Sequence, residues 1–279
     1  TLEVRDDMKR ARALVAETPT SGAAELSDPG LRRPHHEDAT AVTEGEVSGE
    51  PCAVLVVCDG VSSSARAGEA SVIAARVACD RLTTFLRQRS DPPHAAHLSL
   101  AVSEAIGEAH QAICDARLAH GAGAPPGTTI ALAVVIGRAL TVGWVGDSRV
   151  YWISETGSEL CTTDHSWVND EIARGSLTEA EAMSSPFAHA LTRCLGPLEG
   201  GGADGSRADV RTRALPGPGC VVVCTDGLWN YFPGAEAIAS LVADAGPGAD
   251  ARTIARYLVC RALAEGGGDN VSIAVHRVV

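Results

Sequence analysis

Apolar and polar positions alternate along this chain in two rhythms. Short apolar runs at 52–58, 129–136, 140–146, 149–153, 220–225 and 271–278 are each rich in β-branched or aliphatic residues and bounded by Gly, Pro or Asp, which predicts strands. Two longer stretches keep helical spacing instead. Residues 65–88 place Ala70, Ile73, Val77, Leu82 and Leu86 on one face, and residues 98–118 do the same with Val102, Ala105, Ile106, Ala109 and Ile113. The run 129–136, the turn Gly137-Arg138-Ala139 and the run 140–146 have the length and turn residues of a hairpin, so those strands are expected to be antiparallel. Strict β-α-β alternation is absent. The pattern predicts an α+β fold of layered antiparallel sheets and helices rather than a doubly wound parallel sheet.

The remaining segments are less regular. Residues 1–30 read as an irregular or flexible lead-in, helix-compatible over 4–17 and then broken by Thr18-Pro19-Thr20-Ser21-Gly22 and Asp28-Pro29-Gly30. Residues 31–279 read as one domain. Within it, 167–195 is a polar helical patch placed outside the core, with Ser176-Leu177-Thr178-Glu179-Ala180-Glu181 resembling a helix start. Further helices are expected over 235–245, after the Pro233-Gly234 turn, and over 249–264; residues 200–205 form a loop, and no internal repeat is present.

Composition narrows the function. Of 279 residues 45% are hydrophobic and 21% charged, which excludes a disordered or collagen-like chain. The 23 Lys and Arg against 35 Asp and Glu leave a net charge of −12, which disfavours nucleic acid and anionic membranes and favours divalent cations if carboxylates converge. Trp144, Trp152, Trp167 and Trp229 are not interleaved with basic residues, so no nucleic-acid stacking platform is expected. Nine cysteines without a Cys-x-x-Cys pair point to free thiols in a reducing cytoplasm, and Cys220 and Cys224 share a strand face with Val222. No apolar run approaches the roughly 18 residues of a membrane helix.

The candidate chemistry lies at strand ends. Val57-Cys58-Asp59-Gly60, Val145-Gly146-Asp147-Ser148, Cys224-Thr225-Asp226-Gly227 and Gly268-Asp269-Asn270-Val271 each put a carboxylate just beyond or before an apolar strand, and Glu37-Asp38 adds a pair. A single Asp-Gly is ordinarily a turn. Four with similar flanks predict a shared, oxygen-rich rim suited to Mg²⁺ or Mn²⁺.

These motifs occur in the order Arg33-Pro34-His35-His36-Glu37-Asp38-Ala39, Val57-Cys58-Asp59-Gly60, Gly127-Thr128-Thr129, Gly146-Asp147-Ser148-Arg149, Leu191-Thr192-Arg193, Thr225-Asp226-Gly227-Leu228 and Gly268-Asp269-Asn270. The series resembles that of the metal-dependent serine/threonine protein phosphatases (PPM, or type 2C), in the style of their bacterial members, from about residue 32 onward. The resemblance implies a four-layer α-β-β-α sandwich with a dinuclear Mg²⁺ or Mn²⁺ centre at one end. It implies that Asp59 bridges the two ions, that Asp226 and Asp269 hold the first, and that Glu37 and the Gly60 carbonyl hold the second. Asp38 would hold metal-bound waters and Arg33 would clamp the phosphate. The implied substrate is phosphoserine or phosphothreonine on a protein, and the implied counterpart is a Ser/Thr kinase.

Several positions depart from the family pattern. Asp147 matches the acid that in bacterial members helps hold a third metal, but its usual partner aligns with Ala173 in a flap-like segment at 164–196, leaving Asp170 or Glu171 as substitutes. Val61-Ser62-Ser63-Ser64 replaces the usual Gly-Gly continuation, and Val61 offers no proton to a leaving group. His35 and His36 stand where Asn is common before Glu-Asp, and Asn270 resembles a structural asparagine. His94, His97, His110 and His120 have no metal-ligand spacing and read as surface residues. A small-metabolite phosphatase and a non-catalytic pseudophosphatase acting as a binding module remain alternatives on the same sequence.

Overall fold

The computed structural model describes residues 22–64, 66–120, 126–188, 190–197 and 206–279. Among these residues ten strands form two sheets in which every neighbouring pair is antiparallel. One has the order β1 (Ala23–Asp28), β10 (Val271–Val278), β9 (Gly219–Cys224), β6 (Arg149–Ser154), β7 (Gly157–Leu160). The other runs β2 (Ala39–Val47), β3 (Glu50–Cys58), β4 (Ile130–Ile136), β5 (Ala139–Val145), β8 (Asp209–Ala214).

Side-chain alternation explains why the two sheets stack with helices outside. On β3, Val54, Val56 and Cys58 pack with the inner faces of α1 (Ala67–Arg87) and α2 (Ala95–His120), while Ala53, Leu55 and Val57 turn to the opposite sheet. On β9, Cys220, Val222 and Cys224 pack under α6 (Ala235–Asp244) and α7 (Ala251–Ala264), while Val221 and Val223 meet the other sheet. Strands buried on both faces must be apolar throughout, which is why they read as unbroken runs. The expected α-β-β-α layering is thus what the chain forms, and the 129–146 hairpin is β4 and β5.

Some expectations need correction. The lead-in expected over 1–30 gives way to a strand at Ala23–Asp28, where β1 pairs with β10 over its whole length; residues 1–21 lie outside the described residues, as does the expected loop at 200–205. Among its described residues the polar patch at 167–195 holds two short helices, α3 (Trp167–Ala173) and α4 (Glu179–Met183), the second opened by a capping box of Thr178 and Glu181. Beyond Met183 that segment is irregular and bridges back to the sandwich at Ser166–Leu191 and Thr128–Leu195. His110, read as a surface residue, is half-buried and accepts the Gly196 N–H at 3.1 Å.

The topology gathers the acidic motifs at one end of the sandwich. Asp59 follows β3, Asp147 lies in the turn between β5 and β6, and Asp226 opens the short helix α5 (Asp226–Trp229) just after β9. Asp38 stands immediately before β2, and Asp269 two residues before β10.

Candidate metal centre

The main chain fixes Asp59 before its side chain does anything. Its N–H donates to Thr129 Oγ1 (3.1 Å), and its carbonyl accepts from Thr129 N–H (2.7 Å) and Thr128 Oγ1 (2.8 Å). Thr129 Oγ1 also lies 2.7 Å from Ser148 Oγ, which ties the Asp147 turn to the same strand start. Gly60 is needed beside it, since a Cβ there would lie 2.7 Å from the Glu37 carbonyl. Gly227 is equally constrained, its Cβ position being 1.9 Å from the Asn270 carbonyl.

The carboxylates crowd one another. Burial, then the neighbouring charges of Asp38, Asp226, Asp147 and Asp269, hold the Asp59 carboxyl well above the usual range. Asp38 is buried, and desolvation lifts it to about 7 even though it accepts hydrogen bonds from Ser272 and from Thr225 Oγ1 (3.0 Å). Asp147 is also lifted to about 7, by burial and then by Asp226 and Asp164. Asp226 is raised by burial and by Asp269, and shares a hydrogen bond with Asp59.

Asp269 and Glu37 are set by different contacts. Asp269 Oδ1 accepts the Asn270 N–H at 2.9 Å, and Oδ2 accepts from Arg33 Nη2 at 2.5 Å. Asn270 organises the opposite wall: its Oδ1 accepts the Glu37 N–H (2.7 Å), and its Nδ2 donates to the carbonyls of Pro29 (2.8 Å) and His35 (3.0 Å). With Asn270 only 4% exposed, Asn270→Ala strands three polar groups. A loss of about 1–3 kcal/mol of stability is expected in denaturant titration, and a change within measurement error would remove Asn270 from this role.

The donor set suits hard divalent cations. All the side-chain donors are oxygens, and their mutual repulsion is the unbalanced charge that a cation would relieve. Among the described residues no three His, Cys, Asp or Glu side chains stand as a ready-made ligand cluster. Arg33, engaged with Asp269, holds that carboxylate by an ion pair, so closing the cluster calls for small side-chain shifts.

The other expected residues resolve as follows. The charges of Asp226 and then Asp164 act on Asp147. Arg149 holds Asp164 by both oxygens (Nη2 to Oδ2 2.6 Å), donates to the Pro233 carbonyl (2.9 Å) and lies 3.8 Å over the Trp229 ring. Glu171 pairs with Arg174, and Ala173 ends α3. His36 turns its Nε2 to Ser27 Oγ (2.8 Å) and accepts the Asp38 N–H at Nδ1 (3.3 Å), a supporting rather than cleft-facing position. The 61–64 loop is tied back to Gly127 through Val61 N–H and Ser64.

The pattern that defines the family described as protein phosphatase 2C matches residues 34–260. The chain belongs to the protein phosphatase 2C family. This makes it a metal-dependent protein phosphatase and bears out the resemblance carried by the seven motifs. Among its relatives, serine/threonine phosphatase stp of Listeria innocua is 27% identical over 252 residues, 88% of this chain and 92% of that protein. Protein phosphatase PhpP of Streptococcus pneumoniae is 31% identical over 150 residues, 53% of this chain and 57% of its own. Serine/threonine phosphatase Stp1 of Staphylococcus aureus has the same fold, with a TM-score of 0.72 at 23% identity, covering 96% of this chain and 98% of that one.

Sequence reasoning missed parts of this phosphatase site. Thr225 and Ser272, which hold Asp38, and the Thr129–Ser148 pair carried no signal beyond lying next to an acidic motif. Arg149 was visible inside Gly-Asp-Ser-Arg, but its partner Asp164 was not.

Proposed function

We propose that this phosphatase hydrolyses phosphoserine and phosphothreonine on proteins at a dinuclear Mg²⁺ or Mn²⁺ centre. The observation that carries the reading is the convergence of Asp38, Asp59, Asp147 and Asp226 at one end of the sandwich, each with its carboxyl pushed up by burial and by its neighbours. That arrangement is costly without a cation, so it favours catalysis over a binding-module role.

Asp59 would bridge the two ions, Asp226 and Asp269 would hold the first, and Glu37 and the Gly60 carbonyl the second. Asp147 alone would be a weak third site, because the neighbouring Asp164 is locked on Arg149. Two such ions, when bound, lower the pKa of a shared water toward neutrality. Asp38, held by Thr225 and Ser272, would accept hydrogen bonds from waters at the centre. Arg33 would transfer its planar fork from Asp269 to the phosphate oxygens, neutralising charge at a rim that otherwise repels them. Arg33→Ala is expected to raise KM for a phosphopeptide about tenfold or more, with a smaller effect on kcat; an unchanged KM would remove the clamp.

The substrate class supports two further assignments. A Ser/Thr kinase would supply the phosphoprotein, and nine cysteines without a Cys-x-x-Cys pair suit a reducing cytoplasm. Among the described residues no helix is long and apolar enough to cross a membrane.

The test is hydrolysis of a phosphothreonine peptide as Mn²⁺ is titrated, with EDTA and Asp226→Asn as controls and a phosphotyrosine peptide alongside. Metal-dependent turnover of the phosphothreonine peptide, lost in the variant, is expected. Turnover indifferent to metal, or restricted to phosphotyrosine, would contradict the reading.

A further inference from the structure

β8 ends its sheet, and among the described residues no strand pairs with its outer side. An open strand edge presents unpaired peptide groups, which folds either shield with charge or use to bind an extended peptide. Two of the three charged residues of β8 are positive, in a chain whose net charge is −12. Arg211 and Arg213 share one face of β8, and Arg207 precedes it.

The two strand arginines differ. Arg213 is paired with Glu159 on β7. Arg211 is exposed and has no ion-pair partner among the described residues, yet its guanidinium is held in place. Nη1 donates to the Cys161 carbonyl (3.3 Å), Nη2 donates to Thr163 Oγ1 (3.2 Å), and the group lies 5.2 Å from the Trp144 ring centroid. A cation fixed by neutral acceptors keeps its charge for a partner and loses little freedom on binding. Arg211 lines a cavity of about 540 Å³ together with Glu159 and Cys161.

The strand also begins within reach of the Asp147 turn, through His165. His165 Nδ1 accepts the Gly146 N–H (3.1 Å), which leaves its Nε2 to donate to Asp209, the first residue of β8 (3.2 Å). Gly146 immediately precedes Asp147. Arg211 lies two residues, about 7 Å, further along β8.

We propose that β8 and Arg211 form a docking lane for the phosphoprotein substrate. An extended segment next to the phosphoresidue lies along the open side of β8 and sets an acidic side chain on Arg211. This rests on the phosphatase reading above, which supplies the phosphoresidue. Arg211 pairs with Val142, five residues before Asp147, so at about 3.3 Å per extended residue the acidic side chain falls roughly five or more residues from the phosphoresidue.

The experiment compares kcat/KM for two matched phosphothreonine peptides, one carrying glutamates and the other lysines at those flanking positions. Wild type, Arg211→Gln and Arg211→Glu are measured at low and high salt. Wild type is expected to favour the glutamate peptide by about fivefold to tenfold at low salt and to lose most of that preference at high salt. Arg211→Gln should bring the ratio toward unity, and Arg211→Glu should invert it. No preference in wild type, or the same ratio in all three proteins, would overturn the lane. Hydrolysis of p-nitrophenyl phosphate, too small to reach Arg211, separates a failed lane from a failed phosphatase reading. If nothing is turned over, fluorescence anisotropy with the unphosphorylated glutamate peptide still decides the matter: binding to wild type but not to Arg211→Glu supports the lane, and equal or absent binding overturns it.

Discussion

Asp59→Asn is expected to abolish turnover and, in EDTA, to make the protein more stable. Asp59 sits among Asp38, Asp226, Asp147 and Asp269, and burial together with their repulsion holds its carboxyl far above the ordinary range. Removing its charge removes that repulsion. The near-isosteric amide keeps the shape, can still bond to Asp226, and leaves untouched the main-chain clamp to Thr128 and Thr129. A gain of about 1–3 kcal/mol without metal is expected, a stability that function forgoes. An amide cannot bridge two cations as a carboxylate does, so kcat/KM with Mn²⁺ should fall about 10³-fold or more. Thermal unfolding in EDTA and peptide turnover in Mn²⁺ measure the two effects. A variant that is less stable in EDTA, or that keeps a tenth of its activity, would contradict this role.

The metal-free protein is expected to be more stable near pH 5 than near pH 8, against the usual behaviour of carboxylates. Asp38 and Asp147 are raised from 3.8 to about 7 in the folded chain. Below pH 3.8 both folded and unfolded chains hold these protons, and the full contribution is present. Between about 4 and 7 the folded chain binds protons that the unfolded chain has lost, so stability falls as pH rises and the contribution is gone above about 7. The change is of the order of a few kcal/mol. Carboxylates whose values are lowered, Asp209 by His165 and Arg193 and Asp250 by its cap on Thr253, act oppositely and lose stability only in more acid solution. Mn²⁺ competes with the protons, so the rise in Tm that it causes should grow from pH 5 to pH 8. Melting curves with EDTA and with Mn²⁺ across this range check both statements. An EDTA profile that climbs toward pH 8, or a metal effect independent of pH, would contradict the carboxylate cluster.

What the sequence made legible follows from burial. The six expected strands are β3, β4, β5, β6, β9 and β10, all interior members of their sheets. The four it did not reveal, β1, β2, β7 and β8, are the edges. Interior strands are apolar on both faces and stand out as runs, whereas an edge such as Asp209–Ala214, with two arginines in six residues, looks like a polar connection. β1 was further hidden by the Asp28-Pro29-Gly30 turn that follows it. The acidic site was legible because each carboxylate adjoins one of the interior strands or precedes Ala39 in a recognisable pair. Its supports were not. Ser27 reaching His36, Thr225 reaching Asp38 and Arg149 reaching Asp164 are contacts between distant segments, fixed only once the sheets have stacked.

The central claim is that these carboxylates form a divalent-cation centre that hydrolyses phosphoproteins. Its most direct test is Mn²⁺ titration calorimetry of the wild-type chain beside Asp59→Asn, with phosphothreonine-peptide turnover followed in the same samples. The account predicts two ions bound per wild-type chain, turnover that rises as they load, and loss of both the shared binding and the turnover in the variant. Wild-type turnover without bound metal, or unchanged binding and turnover in Asp59→Asn, would contradict it.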